Sequence, residues 1–210
     1  MIESEKDARE FVLGLGDETA LDRLKRFAAL LQEENESQNL VSRTSLPQLW
    51  RRHIADSAQL LNYVPRETAP WLDLGTGAGF PGLVIAAMRP DWDVCLIESR
   101  KRRVEWLERV RSALGLQNCR VLGARLEDVE TVEAGVISAR AFASMVKLID
   151  LSHRFSTAET VWLLPKGRSA AHELGQLAPE MRRVFHVEQS QTDEESGIVV
   201  GRGIGKRGTQ

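Results

Sequence analysis

Between Ala20 and Gln32 the apolar residues fall at Leu21, Leu24, Phe27, Ala28 and Leu31, the spacing of a helix with one buried stripe. Leu46–Tyr63 repeats the pattern with Leu49, Trp50, Ile54, Ala58 and Leu61. Ser45 stands where an N-cap belongs, and Pro47 falls in the first turn, where a missing N–H costs nothing. Pro65 and Pro70 then break the periodicity, so residues 1–66 read as a helical cap packed on a second unit, 67–210.

After residue 70 the texture changes to short apolar runs separated by helical stripes. Strands are predicted at Trp71–Leu74, Val94–Ile97, Arg120–Leu122, Val136–Ser138 and Thr160–Leu164. Between and after them, helices are predicted at Gly82–Met88, Lys101–Leu114, Met145–Phe155 and Ala170–Ala178. Such alternation gives an α/β fold, a mostly parallel sheet covered on both faces. Val184–Val187 and Ile198–Val200 have no helix between them and read as an antiparallel hairpin closing one edge. The glycine-rich tail, 201–210, reads as frayed.

Composition narrows the class. The chain has 210 residues, 42% hydrophobic and 28% charged, enough apolar content for a substantial core. A net charge of −2 excludes a wholly basic nucleic-acid coat protein but not a local basic patch. Residues 37–66 carry Arg43, Arg51, Arg52 and Arg66 against Asp56, and residues 100–111 carry six bases against two acids. Cys95 and Cys119 lie in or beside predicted strands and read as small core residues, not as a disulfide framework or metal site. The five tryptophans read as core. His53 and Asp56, three apart on one helix, read either as a surface hydrogen-bonded pair or as a site near a ligand. Lys147 and Arg154, with Asp150 between them, read as surface charge. With neither signal peptide nor apolar span in evidence, the expectation is a soluble cytoplasmic protein.

The strongest chemical signal is Trp71-Leu72-Asp73-Leu74-Gly75-Thr76-Gly77-Ala78-Gly79-Phe80-Pro81-Gly82, a strand running through glycines into a helix. Side-chain-free backbone can bend there and approach a ligand closely. Glu98 ends the second strand, where a carboxylate can hydrogen-bond a ribose diol. The run formally matches the dinucleotide pattern, but Pro81 removes a backbone donor where a pyrophosphate would need one. S-adenosylmethionine has no phosphate, and its carboxylate, ammonium and sulfonium suit Gly75, Gly77 and Gly79 with Asp73 nearby. That balance favours a methyltransferase over a nicotinamide-dependent reductase or a merely structural turn.

The stretch after the fourth strand, Ser138-Ala139-Arg140-Ala141-Phe142-Ala143, lacks the Asp/Asn-Pro-Pro-aromatic run of exocyclic-amine methylation. Neither cysteine stands at that edge to act as a nucleophile on a pyrimidine carbon. A guanine nitrogen 7 needs neither, because its in-plane lone pair attacks directly. Arg140 is then a positioning group for the acceptor or for the methionine end of the cofactor, and no general base is expected.

These stretches, with Asn39-Leu40-Val41-Ser42, Arg52-His53-Ile54-Ala55-Asp56-Ser57 and Lys101-Arg102-Arg103, resemble the RsmG (GidB) family of bacterial 16S ribosomal RNA guanine-N(7)-methyltransferases over nearly the whole chain. The resemblance implies a class I, Rossmann-like fold and S-adenosylmethionine held by Gly75, Phe80, Leu126, Glu127 and Arg140. It implies methyl transfer to the guanine at position 527, in the 530 loop of 16S ribosomal RNA, within the 30S subunit or an assembly intermediate, by a monomer. With the basic runs it implies RNA contacts at Arg51, Arg52, His53, Arg100, Lys101, Arg102, Lys166 and Arg168. Where family members often show Asp-Ser after the second strand this chain has Glu98-Ser99, and Pro165 precedes the Lys-Gly pair after the fifth. A non-catalytic ribosome-binding factor with the same fold is the other reading.

Overall fold

The computed structural model describes residues 1–65 and 68–203. The expected cap boundary, at residues 66 and 67, and all but the first three residues of the tail lie outside the described residues.

Two helices open the chain. α1 (Glu5–Leu15) starts at a capping box in which the Asp7 N–H donates to Ser4 Oγ and the Ser4 N–H to Asp7 Oδ2, each at 3.0 Å. It buries only Ala8 and Val12, too sparse a stripe for the hydrophobic spacing to predict it. α2 (Glu18–Glu34) is capped by Asp17, which accepts from the Ala20 N–H at 2.7 Å, and extends past the expected Ala20–Gln32 at both ends. Its stripe, Leu21, Leu24, Phe27, Ala28 and Leu31, is buried as the spacing required.

The single helix expected over Leu46–Tyr63 is instead four contiguous pieces. A 3-10 turn (Leu46–Gln48) leads to a π-helical turn (Trp50–Ala55), one turn of α3 (Asp56–Ala58) and a second 3-10 turn (Gln59–Tyr63). Ser45 does not cap it: its hydroxyl donates to the Ser42 carbonyl at 3.0 Å, and its own backbone is already helical. The wide turn widens the i-to-i+4 spacing around Arg52 and His53, a distortion found disproportionately where side chains are aimed at a task.

The sheet runs β3 (Cys119–Leu122), β2 (Val94–Ile97), β1 (Trp71–Leu74), β4 (Val136–Ser138), β5 (Val161–Lys166), β7 (Gly197–Arg202) and β6 (Phe185–Gln189). The first five strands in this order are parallel; β7 is antiparallel to β5 and to β6, the hairpin that closes the edge. Pro165 costs no ladder bond to β4, whose pairing with β5 ends at Ser138 opposite Leu163. Helices α4 (Gly82–Met88), α5 (Lys101–Ala113), α6 (Met145–Ser152), α7 (Ala170–Gly175) and α8 (Pro179–Arg182) complete the fold. The predicted Met145–Phe155 helix tightens into a 3-10 turn after Ser152, and Ala170–Ala178 stops at Gly175.

Alternate strand residues feed two cores. Trp71, Val94, Leu96, Val136 and Leu163 pack with α1, α2, α4 and α5 on one face. Leu72, Leu74, Ile97, Ile137, Trp162 and Leu164 pack with α6 and Phe155 on the other. The N-terminal helices therefore share a continuous apolar core with the sheet. Arg23 Nη1 donates to the Ala87 carbonyl (3.2 Å), Arg89 Nη2 to the Leu15 carbonyl (2.9 Å), and the Ile2 N–H to the Gln191 carbonyl (2.7 Å). All five tryptophans are buried, as are both cysteines, whose thiols burial pushes up to about 11 (Cys95) and about 12 (Cys119). Neither thiol supplies a thiolate near neutrality.

Candidate functional site

Strand order reverses between β1 and β4, and the crevice at such a reversal, outside the carboxyl ends of the strands, is where ligands bind in open α/β sheets. A cavity of about 330 Å³ opens there. Gly75, Gly77, Phe80, Glu98, Arg100, Leu126 and Arg140 line it, which places seven of the expected site residues around one space.

The loop from β1 to α4 forms the floor. Gly75 has φ +66°, and a Cβ there would lie 2.3 Å from Cδ2 of Phe142, so glycine lets the loop after β4 close over the first turn. Asp73 does not reach the cavity, contrary to expectation. It is fully buried beneath the loop, where Oδ1 accepts from Ser138 Oγ at 2.8 Å and Oδ2 from the Gly82 N–H at 2.9 Å and from Thr76 Oγ1. Ser138 in turn accepts from Trp71 Nε1 at 2.8 Å. Asp73 thus fastens the glycine loop to β4 and to the start of α4, and burial raises its pKa to about 7. Gly79 also faces away: a Cβ there would strike Leu83 Cδ1 at 2.4 Å, so it serves loop–helix packing.

Glu98, buried at the end of β2, accepts from the Gly77 N–H through Oε2 (3.0 Å) and from the Arg100 N–H through Oε1 (2.8 Å). One carboxylate so joins the glycine loop to the start of α5. Leu126 forms an apolar wall with Ile97 and Ala124. Glu127, expected beside it, does not line the cavity; its exposed side chain pairs with Arg125 at 3.4 Å. Arg154, expected as plain surface charge, is half-buried and donates from Nη2 to the Leu126 carbonyl (2.6 Å), pinning this wall from behind.

Arg140 closes the opposite side. Its guanidinium carbon lies 4.9 Å above the centre of the Phe80 ring, Nη2 donates to His53 Nδ1 at 3.0 Å, and Nη1 is 3.6 Å from Asp56 Oδ2. His53 stacks on Phe80 with ring centres 5.0 Å apart and meets Ser45 Oγ through Nε2 at 2.9 Å. Of the two readings of His53 and Asp56, the surface pair is not what forms: both turn to Arg140 at the cavity wall. Burial, with Arg140 and Arg52 nearby, lowers the His53 pKa to about 3, so the ring is neutral.

The expected RNA contacts disperse. Arg100, Lys101 and Arg102 stay exposed together at the start of α5, Lys101 near Glu105 and Arg102 Nη2 donating to the Ser37 carbonyl at 3.4 Å. Arg52 pairs with Asp193 (3.0 Å), Arg51 donates to Gln48 Oε1 (2.7 Å) and to the Glu3 carbonyl (3.2 Å), and Arg168 pairs with Glu195. Lys166 is no surface phosphate ligand: only 8% of its side chain is exposed, and it bonds Glu173 at 2.8 Å and the Ala143 carbonyl at 3.4 Å. With Glu173 also accepting from the Met145 N–H at 3.2 Å, the pair braces the loop after β4 from below. Among the cavity-lining residues not expected at the site, Phe142 and Arg103 matter most. Phe142 stood in view within the stretch after β4, whereas Arg103, on α5, gave no signal apart from its basic neighbours. Arg103 Nη2 donates to the Asn39 carbonyl at 2.6 Å, and its Nη1 is buried without a partner among the described residues.

A family model described as GidB, rRNA small subunit methyltransferase G, matches residues 20–200. A protein of Erythrobacter litoralis named Ribosomal RNA small subunit methyltransferase G is 58% identical over 206 residues, covering 98% of this chain and 100% of the relative. One of the same name from Rhizorhabdus wittichii is 41% identical over 207 residues, covering 98% and 95%. Among solved structures, the mitomycin 7-O-methyltransferase MmcR superposes with a TM-score of 0.59 at 17% identity, covering 84% of this chain and 60% of that one. Precorrin-6y C5,15-methyltransferase from Geobacter metallireducens superposes at 0.53 and 12%, covering 79% and 91%. These two likenesses concern the fold, a class I methyltransferase sheet with its antiparallel edge, and the sequence matches settle the rest: the chain belongs to the GidB family, rRNA small subunit methyltransferase G.

Proposed function

We propose that this chain transfers the methyl group of S-adenosylmethionine to ring nitrogen 7 of the guanine at position 527 in the 530 loop of 16S ribosomal RNA. The reaction takes place in the cytoplasm, on a 30S subunit or its assembly intermediate, with the enzyme acting as a monomer. The first 66 residues serve as the cap that completes the acceptor side. Family membership supports the enzyme class and its ribosomal RNA substrate. The observation that carries the choice of atom is the cavity wall: its ionisable groups among the described residues are Glu98, Arg100, Arg103 and Arg140, with no cysteine, histidine or free carboxylate.

The wall fits the donor. A volume of about 330 Å³ is at the small end of ligand pockets, about 300–1,000 Å³. Leu126, Ile97 and Ala124 offer an apolar slot for an adenine ring, Glu98 a carboxylate for ribose hydroxyls, and Arg140 a cation for a carboxylate or for the acceptor. When bound, S-adenosylmethionine supplies an electrophilic methyl on a sulfonium, and positive charge passes from sulfur to the base without net creation. A guanine nitrogen 7 carries no proton to remove, so the protein need only align the reactants and exclude water. Arg140 fills that part by orienting a guanine carbonyl or phosphate; as a donor it would tie up the nitrogen 7 lone pair, so its productive contact is with another acceptor.

The test is transfer of tritiated methyl to 30S subunits from cells lacking this protein, followed by mapping of the labelled nucleotide. Label at a guanine nitrogen 7 in the 530 loop is the expected result. Label at any other atom, or none, overturns the reading. Arg140→Ala should cut the rate at least ~100-fold, the cost of lost alignment, far more than it destabilises the fold, so that the variant still melts cooperatively.

A further inference from the structure

We propose that His53 and Asp56 are positioning residues that hold the Arg140 guanidinium at the cavity wall, so that methyl transfer depends on them through Arg140. This rests on the function proposed above, and the test keeps the two failures apart.

Hydrogen-bond valence fixes the arrangement. Arg140 can only donate, so His53 Nδ1 must accept, and the proton of the neutral ring must sit on Nε2. Nε2 then donates to Ser45 Oγ, which already gives its own proton to the Ser42 carbonyl and accepts from Ser42 Oγ at 2.9 Å. Each lone pair and proton of that hydroxyl is used, so the tautomer is built in from behind. Asp56 is fixed in the same manner: Oδ1 accepts from Gln59 Nε2 and Thr192 Oγ1, both at 2.9 Å, which leaves Oδ2 to face Arg140. Gln59 Oε1 accepts from the Gln191 N–H at 2.8 Å. The turn at 50–58 and the β6–β7 loop thus converge on one guanidinium contributed by the loop after β4.

That convergence gives the cap a task in the reaction. Arg140 follows β4 in a loop whose next residue, Ala141, has φ +53°, and nothing in a free loop of that kind would hold a long side chain in one rotamer. The Phe80 face below, the imidazole acceptor at one side and the carboxylate at the other leave it a single orientation, with its remaining N–H groups available to a ligand in the cavity.

The experiment is single-turnover methyl transfer to 30S subunits by His53→Ala, His53→Asn, His53→Gln, Arg140→Ala and the double variant His53→Ala/Arg140→Ala, with thermal melting of each. His53→Ala should lose ~10- to 100-fold in rate, and nothing further in the Arg140→Ala background, because coupled residues are non-additive. Asparagine, whose amide oxygen replaces Nδ1, should recover most of the rate. Glutamine, whose oxygen lies one bond further out, should not. Wild-type rate in His53→Ala, multiplicative losses in the double variant, or equal rates for asparagine and glutamine overturn the inference. If His53→Ala does not fold, the asparagine–glutamine comparison decides alone. A wild-type enzyme that labels no guanine fails the functional reading instead.

Discussion

Single atoms decide the floor of the cavity and the state of its wall. Gly75→Ala places a Cβ 2.3 Å from Phe142 at φ +66°, so either the ring moves or the loop does, at a backbone cost of about 1–2 kcal/mol. The expected outcome is a loss of at least ~10-fold in S-adenosylhomocysteine affinity by calorimetry, equivalent to about 1.4 kcal/mol, and unchanged affinity would remove Gly75 from the site. His53 makes a pH prediction. Its folded pKa of about 3 lies below the ordinary value of 6.5, so its contribution is fully present above pH 6.5 and is lost as pH falls toward 3. At pH 4 that loss is up to about 3 kcal/mol at 1.36 kcal/mol per pH unit. Urea unfolding midpoints should therefore fall less between pH 7 and pH 4 in His53→Asn than in the wild type; parallel curves would mean the imidazole does not stay neutral.

At the level of elements, a charge hidden under a loop behaves unlike one on the surface. Lys166 ends β5 and neutralises Glu173 of α7 beneath the loop after β4. Lys166→Ala should cost about 3 kcal/mol of unfolding free energy, the low end for breaking a buried pair, and should leave the salt dependence of RNA binding as it was. A changed salt slope with full stability would return Lys166 to the surface role that its sequence context suggested. Strands were legible because each is a short apolar run bounded by turns, and α2 because its stripe is complete. The Leu46–Tyr63 helix was legible as helix but not as four pieces: hydrophobic spacing does not report a wide turn. The glycine loop could be read from its motif between a strand and a helix, whereas which glycine faces the ligand could not. Gly79 and Gly75 look alike in sequence, yet a Cβ on the first would meet Leu83 of the following helix and one on the second Phe142 at the cavity. The partnership of His53 with Arg140 spans 87 positions, and no local pattern encodes it.

For the molecule as a whole, a net charge of −2 hides an uneven surface. Most of the basic residues assigned to RNA from sequence are engaged: Arg52 with Asp193, Arg51 with Gln48 and Glu3, Arg168 with Glu195, Lys166 with Glu173. The group that stays exposed beside the cavity is Arg100, which precedes α5 and lines the cavity, with Lys101 and Arg102 in the first turn of that helix. Three cations at a helix start oppose the helix dipole, by about 0.3–1 kcal/mol each, a cost that an RNA phosphate beside the crevice would offset. Each phosphate neutralised releases counterions, so the logarithm of the binding constant should fall with the logarithm of salt by about 0.7–0.9 per contact. Lys101→Gln and Arg102→Gln should each reduce that slope by about one contact's worth, and the double variant by twice as much. Arg52→Gln should alter it little, since that charge is already balanced by Asp193. Filter binding of 16S ribosomal RNA across a salt series reads all three, and a slope that responds to Arg52 but not to Lys101 would move the RNA from the α5 side of the crevice to the cap.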